Sequence, residues 1–125
     1  MRKLLLVEDD TDTSSLLKYV LEDENFEVQV APSVDEARTA FASGGADMII
    51  IDRGLPDGDG LDLCREIRGQ PQGMSLPVMF LTAHKTPEDI KSGMAAGADD
   101  YLAKPFSFVE FISRIETLWQ RQAGV

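Results

Sequence analysis

The chain has 125 residues, of which 43% are hydrophobic, and it carries 12 basic and 22 acidic side chains for a formal net charge of −10. This length is typical of one domain with a single core, and no stretch reaches the roughly 18 to 20 apolar residues that a membrane helix requires. The excess of acids argues against direct binding to nucleic acid, because a phosphate backbone would repel this surface.

The first half of the chain alternates between short apolar runs and segments of helical period. The first strand candidate, residues 3–7, is apolar from residue 4, and acids follow it at once. This pattern predicts a buried strand rather than a secretion signal, so a cytoplasmic location is the default expectation. A helix around residues 16–21 has a buried stripe at one-turn spacing, and a second strand covers 27–30. The next helix opens after Ser33, a good N-cap residue, with Glu36 three residues on.

The second half continues the same alternation. Its elements are strand 48–52, helix 61–68, strand 77–82, helix 86–97, strand 99–102 and helix 107–122. Asp57 and Asp59, which precede the third helix, are expected to be turn and N-cap acids, and the single cysteine, Cys64, is expected to pack within that helix. We expect one domain over residues 1–122, with 123–125 as a tail or the start of a linker.

Five successive β–α units predict the fold class. With right-handed crossovers they give a three-layer, flavodoxin-like α/β sandwich, in which one parallel sheet has the strand order 2-1-3-4-5 and helices cover both faces. Ligands of such sheets collect beyond the carboxyl ends of the strands, where the winding reverses between the first and third strands. The functional site is therefore expected at that edge.

Acidic residues lie at this edge. The first strand ends in Glu8, Asp9 and Asp10, and the third strand ends in Asp52. Two carboxylates about 4 Å apart repel by roughly 4 kcal/mol at an effective dielectric of about 20, so a raised pKa or a bound cation must offset the repulsion. Oxygen ligands without a Cys or His cluster favour Mg²⁺. From spacing alone, loop-end and N-cap acids that face water are an equally good explanation.

Two further side chains belong to the same edge. The fourth strand ends in Thr82, and the fifth is followed by Lys104-Pro105, where the proline disfavours a helical conformation at Lys104. One site would then contain an acid that can attack a phosphoryl group, further acids that can bind a metal ion, a hydroxyl and an ammonium. Asp52 is the natural nucleophile in this arrangement.

Four motifs carry a resemblance to a known family. They are VEDD at 7–10, IIDRGLPDGDG at 50–60, LTA at 81–83 and DDYLAKPF at 99–106. Each motif alone is weak, but in this order and spacing they resemble the receiver domains of two-component signalling. The resemblance covers essentially the whole chain and implies a switch that is controlled by phosphorylation.

The resemblance implies a role for each acid. Asp52 is similar to the phosphoacceptor, and Asp9 to the carboxylate that binds Mg²⁺ directly, while Glu8 assists mainly through a bound water. Gly54 would add a backbone carbonyl to the metal, so its side chain matters little for binding the ion. Asp10 is better read as a charge at a helix N-terminus.

The resemblance also implies how the switch works. Lys104 would hold one phosphoryl oxygen and Thr82 would bond another, and Tyr101 would turn inward when the Thr82 hydroxyl is drawn to the phosphoryl group. The alternative for Tyr101 is simple packing of the fifth strand. Gly54 and His84 would flank the path of the hydrolytic water and so tune the lifetime of the phosphorylated form. In this family, the peptide bond that corresponds to Lys104–Pro105 is often cis.

The implied partners are a phosphodonor and an output. The donor would be a sensor histidine kinase, a phosphotransfer protein or a small phosphodonor, and the output surface would lie on the fourth helix, the fifth strand and the fifth helix. That surface carries Lys91, Asp99, Asp100, Glu110, Arg114 and Arg121. It is similar to receivers that are attached to winged-helix DNA-binding domains and pair two-fold, although Ile90 stands where a basic residue is common. A homodimer and a solvated, salt-bridged face both remain open, and this domain itself is not expected to bind nucleic acid or membrane.

Two rival classes of function fit parts of the pattern. A small Mg²⁺-dependent phosphatase or related enzyme would need an acid–base residue two places beyond the nucleophile, where this chain has Gly54. A flavin-binding module would need a loop rich in Ser, Thr and Gly after the first strand, where this loop is acidic. We therefore expect no enzyme activity beyond phosphorylation and dephosphorylation of the chain itself.

Overall fold

The computed structural model describes residues 2–123, and within them a parallel sheet lies between two layers of helices. The sheet strands are β1 (Arg2–Val7), β2 (Phe26–Ala31), β3 (Met48–Ile51), β4 (Val78–Thr82) and β5 (Asp100–Ala103). Neighbouring strands pair in parallel in the order β2-β1-β3-β4-β5. The predicted order 2-1-3-4-5 is thereby confirmed.

The helices alternate with these strands. They are α1 (Thr11–Asp23), α2 (Val34–Gly44), α3 (Gly60–Arg68), α4 (Pro87–Ala95) and α5 (Phe108–Ala123). Because α5 runs through Ala123, the predicted domain end at residue 122 falls one residue inside this helix. The other two residues of the predicted tail, Gly124 and Val125, lie outside the described residues. No helix within residues 2–123 is both long and apolar enough to cross a membrane.

Strand sequences explain the two-sided core. Successive side chains of a strand point to opposite faces, so a strand that is covered on both sides is apolar throughout. In β3, Ile49 and Ile51 pack on the face covered by α2 and α3, and Met48 and Ile50 pack on the face covered by α1 and α5. Cys64 is fully buried among the first group, as its packing role predicted.

Acidic N-caps fix the loops around the carboxyl edge of the sheet. Asp10 accepts from Thr13 N at 3.0 Å and caps α1, and Asp59 accepts from Leu61 N at 2.9 Å and caps α3. Such caps satisfy backbone N–H groups that have no partner within the helix. The predicted roles of Asp10 and Asp59 at helix N-termini are confirmed.

A short hairpin that the sequence pattern did not predict lies between β3 and α3. Gly54–Leu55 pairs with Gly58–Asp59 in antiparallel fashion. Asp57 lies in the turn of this hairpin and accepts from Val34 N at 2.8 Å and from Asp35 N at 3.0 Å. Its carboxylate therefore joins the hairpin to the start of α2. The hairpin thus fixes the backbone that follows Asp52.

Candidate functional site

Three carboxylates meet where β1 and β3 end side by side. Val7 pairs with Ile51 in the sheet, and Asp52 N donates to the Val7 carbonyl at 2.9 Å. As a result, one carboxylate oxygen from each of Glu8, Asp9 and Asp52 lies within 4.8 Å of the others. Glu8 is buried, Asp9 is exposed, and the Asp52 side chain is 13% exposed. The predicted convergence of these acids is what the fold produces.

The ammonium of Lys104 lies between two of these acids. Its Nζ is 2.6 Å from Glu8 Oε1 and 3.2 Å from Asp52 Oδ2. The backbone holds the lysine there, because Lys104 N donates to the Thr82 carbonyl at 2.9 Å. The Lys104–Pro105 peptide bond is cis. The cation offsets the repulsion that the carboxylates would otherwise suffer.

Burial and charge set the ionisation of the cluster. Burial raises the pKa of Glu8, and the hydrogen bond from Lys104 only partly offsets this. Burial also opposes ionisation of Asp52, but the Thr82 hydroxyl, the Lys104 ammonium and the Gly54 N–H outweigh it, so the pKa of Asp52 lies below its usual value. For Lys104, burial is outweighed by the neighbouring Glu8 and Asp52, which raise its pKa. Asp52 is therefore an ionised, partly desolvated carboxylate.

Thr82, Gly54 and His84 border Asp52 on its open side. Thr82 is fully buried, and its hydroxyl accepts from His84 N at 3.3 Å. Gly54 N donates to Asp52 Oδ1 at 3.1 Å. A side chain at Gly54 would extend toward His84, whose Nε2 lies 3.5 Å from the position of a Cβ there.

Tyr101 is turned inward. Its ring is buried against Phe80, with 5.6 Å between the ring centroids, and its hydroxyl donates to the His84 carbonyl. Tyr101 thus has partners on β4 and in the loop that precedes α4.

The residues predicted for the output face divide into two groups. Lys91 and Arg121 are exposed, and Arg114 pairs with Asp100 at 2.9 Å and with Glu110 at 3.0 Å. Asp99 instead pairs on the α3 side of the sheet. It accepts from Val78 N at 2.9 Å and pairs with Arg68 at 2.9 Å, so its carboxylate is occupied within the chain.

Sequence reasoning gave no role to Arg53, the residue directly after Asp52. Its side chain is buried, with Nη1 donating to the Asp89 carbonyl at 3.0 Å and the carboxylates of Asp59 and Asp89 at 3.5 Å. One sequence feature could have indicated a role: Arg53 is a charged residue in a segment that Ile51 and Leu55 predict to be buried. The pattern could not say which acids would pair with it.

The donor set of the cluster fits a hard divalent cation. All three candidate ligands are carboxylates, and Mg²⁺ prefers one or two such groups together with water and phosphate oxygens. Nitrogen and sulfur ligands, which Zn²⁺ or Cu²⁺ would favour, do not belong to the cluster. Glu8, Asp9 and Asp52 could therefore hold Mg²⁺.

Comparison with known proteins gives a consistent result. The sequence profile of the response regulator receiver domain matches residues 4–116. The phosphate regulon transcriptional regulatory protein PhoB of Rhizobium meliloti is 40% identical over 95% of this chain and 52% of its own length. The transcriptional regulatory protein CusR of Escherichia coli is 41% identical over 98% of this chain and 53% of its own length. The chain thus spans about half the length of these relatives.

Solved structures agree with the sequence comparisons. The non-phosphorylated receiver domain of HemR from Leptospira biflexa superposes with a TM-score of 0.88 at 34% identity, covering 95% of this chain and 94% of that one. The BeF₃-activated N-terminal receiver domain of RstA from Klebsiella pneumoniae superposes with a TM-score of 0.87 at 30% identity, covering 94% of this chain and 98% of that one. The fold is therefore shared along almost the full length of both structures.

Proposed function

The chain belongs to the response regulator receiver family, and on that premise we propose that it is a Mg²⁺-dependent switch that accepts a phosphoryl group on Asp52. The family is one of signalling rather than catalytic proteins, and a receiver implies a histidine kinase partner. The observation that carries the proposal is the position of the Asp52 carboxylate, which is clustered with Glu8 and Asp9 and contacted by Lys104.

The proposed reaction is a transfer to a carboxylate oxygen. An Asp52 oxygen attacks phosphorus and forms an O–P bond, while the P–N bond of a phosphohistidine or the P–O bond of acetyl phosphate breaks and the leaving group keeps the electron pair. The low pKa of Asp52 keeps the attacking oxygen unprotonated. Mg²⁺, held by Glu8, Asp9, Asp52 and the Gly54 carbonyl, would neutralise charge on the phosphoryl oxygens. Lys104 would bind one of those oxygens as a point charge.

The signal is proposed to pass from Asp52 through Thr82 to the surface. Phosphorylation adds nearly two negative charges, and the Thr82 hydroxyl, which helps to lower the pKa of Asp52, would bond a phosphoryl oxygen. Tyr101 lies next to this path, because its hydroxyl donates to the carbonyl of His84 and Thr82 accepts from the N–H of the same residue. A small rearrangement at Thr82 would thus reach β5 and the start of α4.

An apolar groove beside Lys104 supports docking of a protein phosphodonor. The groove has a volume of about 250 Å³, and its lining comprises Thr13, Leu16, Leu17, Lys104, Pro105, Phe106 and Phe108. Leu16 is 50% exposed and Phe108 is 43% exposed, although both are large apolar side chains. We propose that the histidine kinase or a phosphotransfer protein covers this groove while its phosphohistidine faces Asp52.

The output surface is proposed to be the face formed by α4, β5 and α5. Ile90 and Met94 are exposed apolar side chains on α4, and Lys91 lies between them. In a two-fold homodimer, Arg114 could exchange its bonds to Asp100 and Glu110 for bonds to a second copy. Residues 1–122 would form the receiver unit in this arrangement, with 123–125 as a tail or the start of a linker.

Intact-mass measurement with acetyl phosphate tests the proposed function. The unmodified chain should gain a phosphoryl adduct in the presence of Mg²⁺ and none when the metal is removed with EDTA, because the carboxylate cluster repels the donor unless a cation is bound. An adduct of the same yield with and without the metal, or none under either condition, would contradict the proposal.

Asp9→Asn is expected to weaken Mg²⁺ binding by about 10- to 100-fold, measured by isothermal titration calorimetry. Asp9 is the exposed member of the cluster, so the change removes a ligand charge without disturbing the core. Asp10→Asn is the matched control, because Asp10 caps α1 and is not in the cluster. Equal affinities for Asp9→Asn and the unmodified chain would remove Asp9 from the proposed ligands.

Gly54→Arg is expected to slow dephosphorylation by about tenfold, an added barrier of about 1.4 kcal/mol. A long side chain at this exposed position would extend across the approach to Asp52 beside His84 and exclude water from it. The rate is followed by the loss of the adduct in intact mass after the phosphodonor is removed. Gly54→Ala adds only a Cβ in ordinary contact with His84 and should decay at nearly the original rate. Identical decay in Gly54→Arg would exclude this role for the position.

A further inference from the structure

Gly60, the first residue of α3, lies against the peptide backbone that carries Asp52. Gly60 is buried, and a Cβ placed on it would overlap the carbonyl oxygen of Asp52 and lie 2.7 Å from Ile51 Cγ2. It would also lie 3.1 Å from Arg53 Cα. An added atom in such close packing forces the backbone to shift. The α3 helix can therefore begin this close to Asp52 only because Gly60 has no side chain.

Backbone hydrogen bonds close the segment between Asp52 and Gly60 into a loop. The carbonyl of Arg53 accepts from Gly60 N at 3.0 Å and from Leu55 N at 3.1 Å, so the two ends of the loop meet at this peptide. The first end is fixed to the sheet, because Asp52 N donates to the Val7 carbonyl at 2.9 Å. The position of the whole loop is therefore set where its second end, at Gly60, touches the first.

The loop places Gly54 beside the Asp52 carboxylate. Gly54 N donates to Asp52 Oδ1 at 3.1 Å, and the carbonyl of Gly54 is one of the ligands proposed for Mg²⁺. Gly54 is exposed and has no side chain that could anchor it, so its position depends on the backbone on either side. A shift at the start of α3 would therefore move both backbone groups of Gly54 relative to Asp52.

We propose that Gly60 is a positioning residue of the site, whose close contact with the Asp52 peptide keeps Gly54 within bonding distance of the Asp52 carboxylate. The inference rests on the proposed function where it concerns Mg²⁺, because the Gly54 carbonyl is a ligand only under that proposal. Groups that orient metal ligands without touching the metal typically account for about 10- to 100-fold in metal affinity. Gly60 is expected to contribute at the lower end of this range, because it acts through the backbone of one ligand.

Gly60→Ala tests this role in two measurements. In protein without metal, the amide proton resonance of Gly54, followed by ¹H–¹⁵N NMR, should move upfield because its hydrogen bond to Asp52 Oδ1 lengthens. The dissociation constant for Mg²⁺, measured by isothermal titration calorimetry, should rise by about tenfold. Alanine is a better helix former than glycine, so a weaker α3 helix would not account for either change.

Gly73→Ala is the matched control, because it crowds the backbone in the same way away from the site. Gly73 ends the short 3₁₀ turn that follows α3, and its Cβ would overlap the carbonyl oxygen of Ile67 and lie 2.8 Å from Ile67 Cγ2. This variant should lower the stability to urea and leave both the Gly54 resonance and the Mg²⁺ affinity unchanged. The same two changes in Gly73→Ala would attribute them to general destabilisation and overturn the positioning role.

The outcomes separate this inference from the proposed function. A folded Gly60→Ala protein with an unchanged Gly54 resonance would overturn the positioning role, whatever the phosphorylation assay shows. Failure of the unmodified chain to form an adduct would instead contradict the proposed function, and the Gly54 resonance would still test the position of the loop.

A second variant decides the question if Gly60→Ala does not fold. Asp59 is the N-cap of α3 and accepts from Leu61 N at 2.9 Å, so Asp59→Ala frees the first turn that contains Gly60 without adding an atom to it. The Gly54 resonance should then move in the same direction by a smaller amount. An unchanged resonance in Asp59→Ala would overturn the positioning role in that case.

Discussion

Replacement of Asp52 by asparagine is expected to abolish the phosphoryl adduct that the unmodified chain forms with acetyl phosphate and Mg²⁺. Asparagine keeps the size of the side chain and can still accept from Gly54 N, which donates to Asp52 Oδ1 at 3.1 Å. It has no carboxylate oxygen to attack phosphorus, and it lacks the charge that the low pKa of Asp52 maintains. Intact-mass spectra of the two proteins, recorded after the same incubation, measure the effect.

Other acids must be shown not to substitute for Asp52. Asp57→Asn is a suitable control, because Asp57 lies in the same loop but bonds the start of α2 and is not part of the cluster. It should acquire the adduct as the unmodified chain does. The same adduct on Asp52→Asn would show that another residue is the acceptor.

Lys104→Met is expected to slow phosphorylation by about 100- to 1,000-fold at saturating Mg²⁺, the effect of losing one positioned charge that stabilises a transition state. It should also strengthen Mg²⁺ binding, because the ammonium, at 2.6 Å from Glu8 and 3.2 Å from Asp52, competes with the metal for the same carboxylates. The opposite directions separate a role in the reaction from general damage to the site. Adduct formation over time and isothermal titration calorimetry measure the two effects.

Lys18→Met is the control for the loss of a lysine, because Lys18 is an exposed residue of α1. Neither its phosphorylation rate nor its Mg²⁺ affinity should change. If Lys104→Met is phosphorylated at the original rate, Lys104 serves only to balance the charge of the unphosphorylated cluster.

Most of the fold and the centre of the site could be predicted from the sequence because both follow from simple rules. Alternating apolar runs and helical stripes define the five β–α units, and a parallel sheet requires them to be connected with one handedness. The order 2-1-3 then places β1 beside β3, and with them Glu8, Asp9 and Asp52. The convergence of these acids could therefore be predicted without knowing any side-chain contact.

Contacts between distant side chains could not be predicted in the same way. The ion pairs of Arg53 with Asp59 and Asp89 depend on how α3 and α4 pack, and any exposed acid would have been an equally plausible partner from the sequence. Asp99 shows the same limit. Its neighbour Asp100 pairs with Arg114 on the α5 side of the sheet, whereas Asp99 pairs with Arg68 on the α3 side.

A crystal structure of the chain grown with Mg²⁺ and beryllium trifluoride, a mimic of the phosphoryl group, tests the central claim most directly. We expect beryllium on an Asp52 oxygen, Mg²⁺ bound by Asp9, Asp52 and the Gly54 carbonyl, and fluorines bonded by Lys104 and Thr82. Beryllium trifluoride on another residue, or a metal ion that does not contact Asp9 and Asp52, would contradict the assignment of this site.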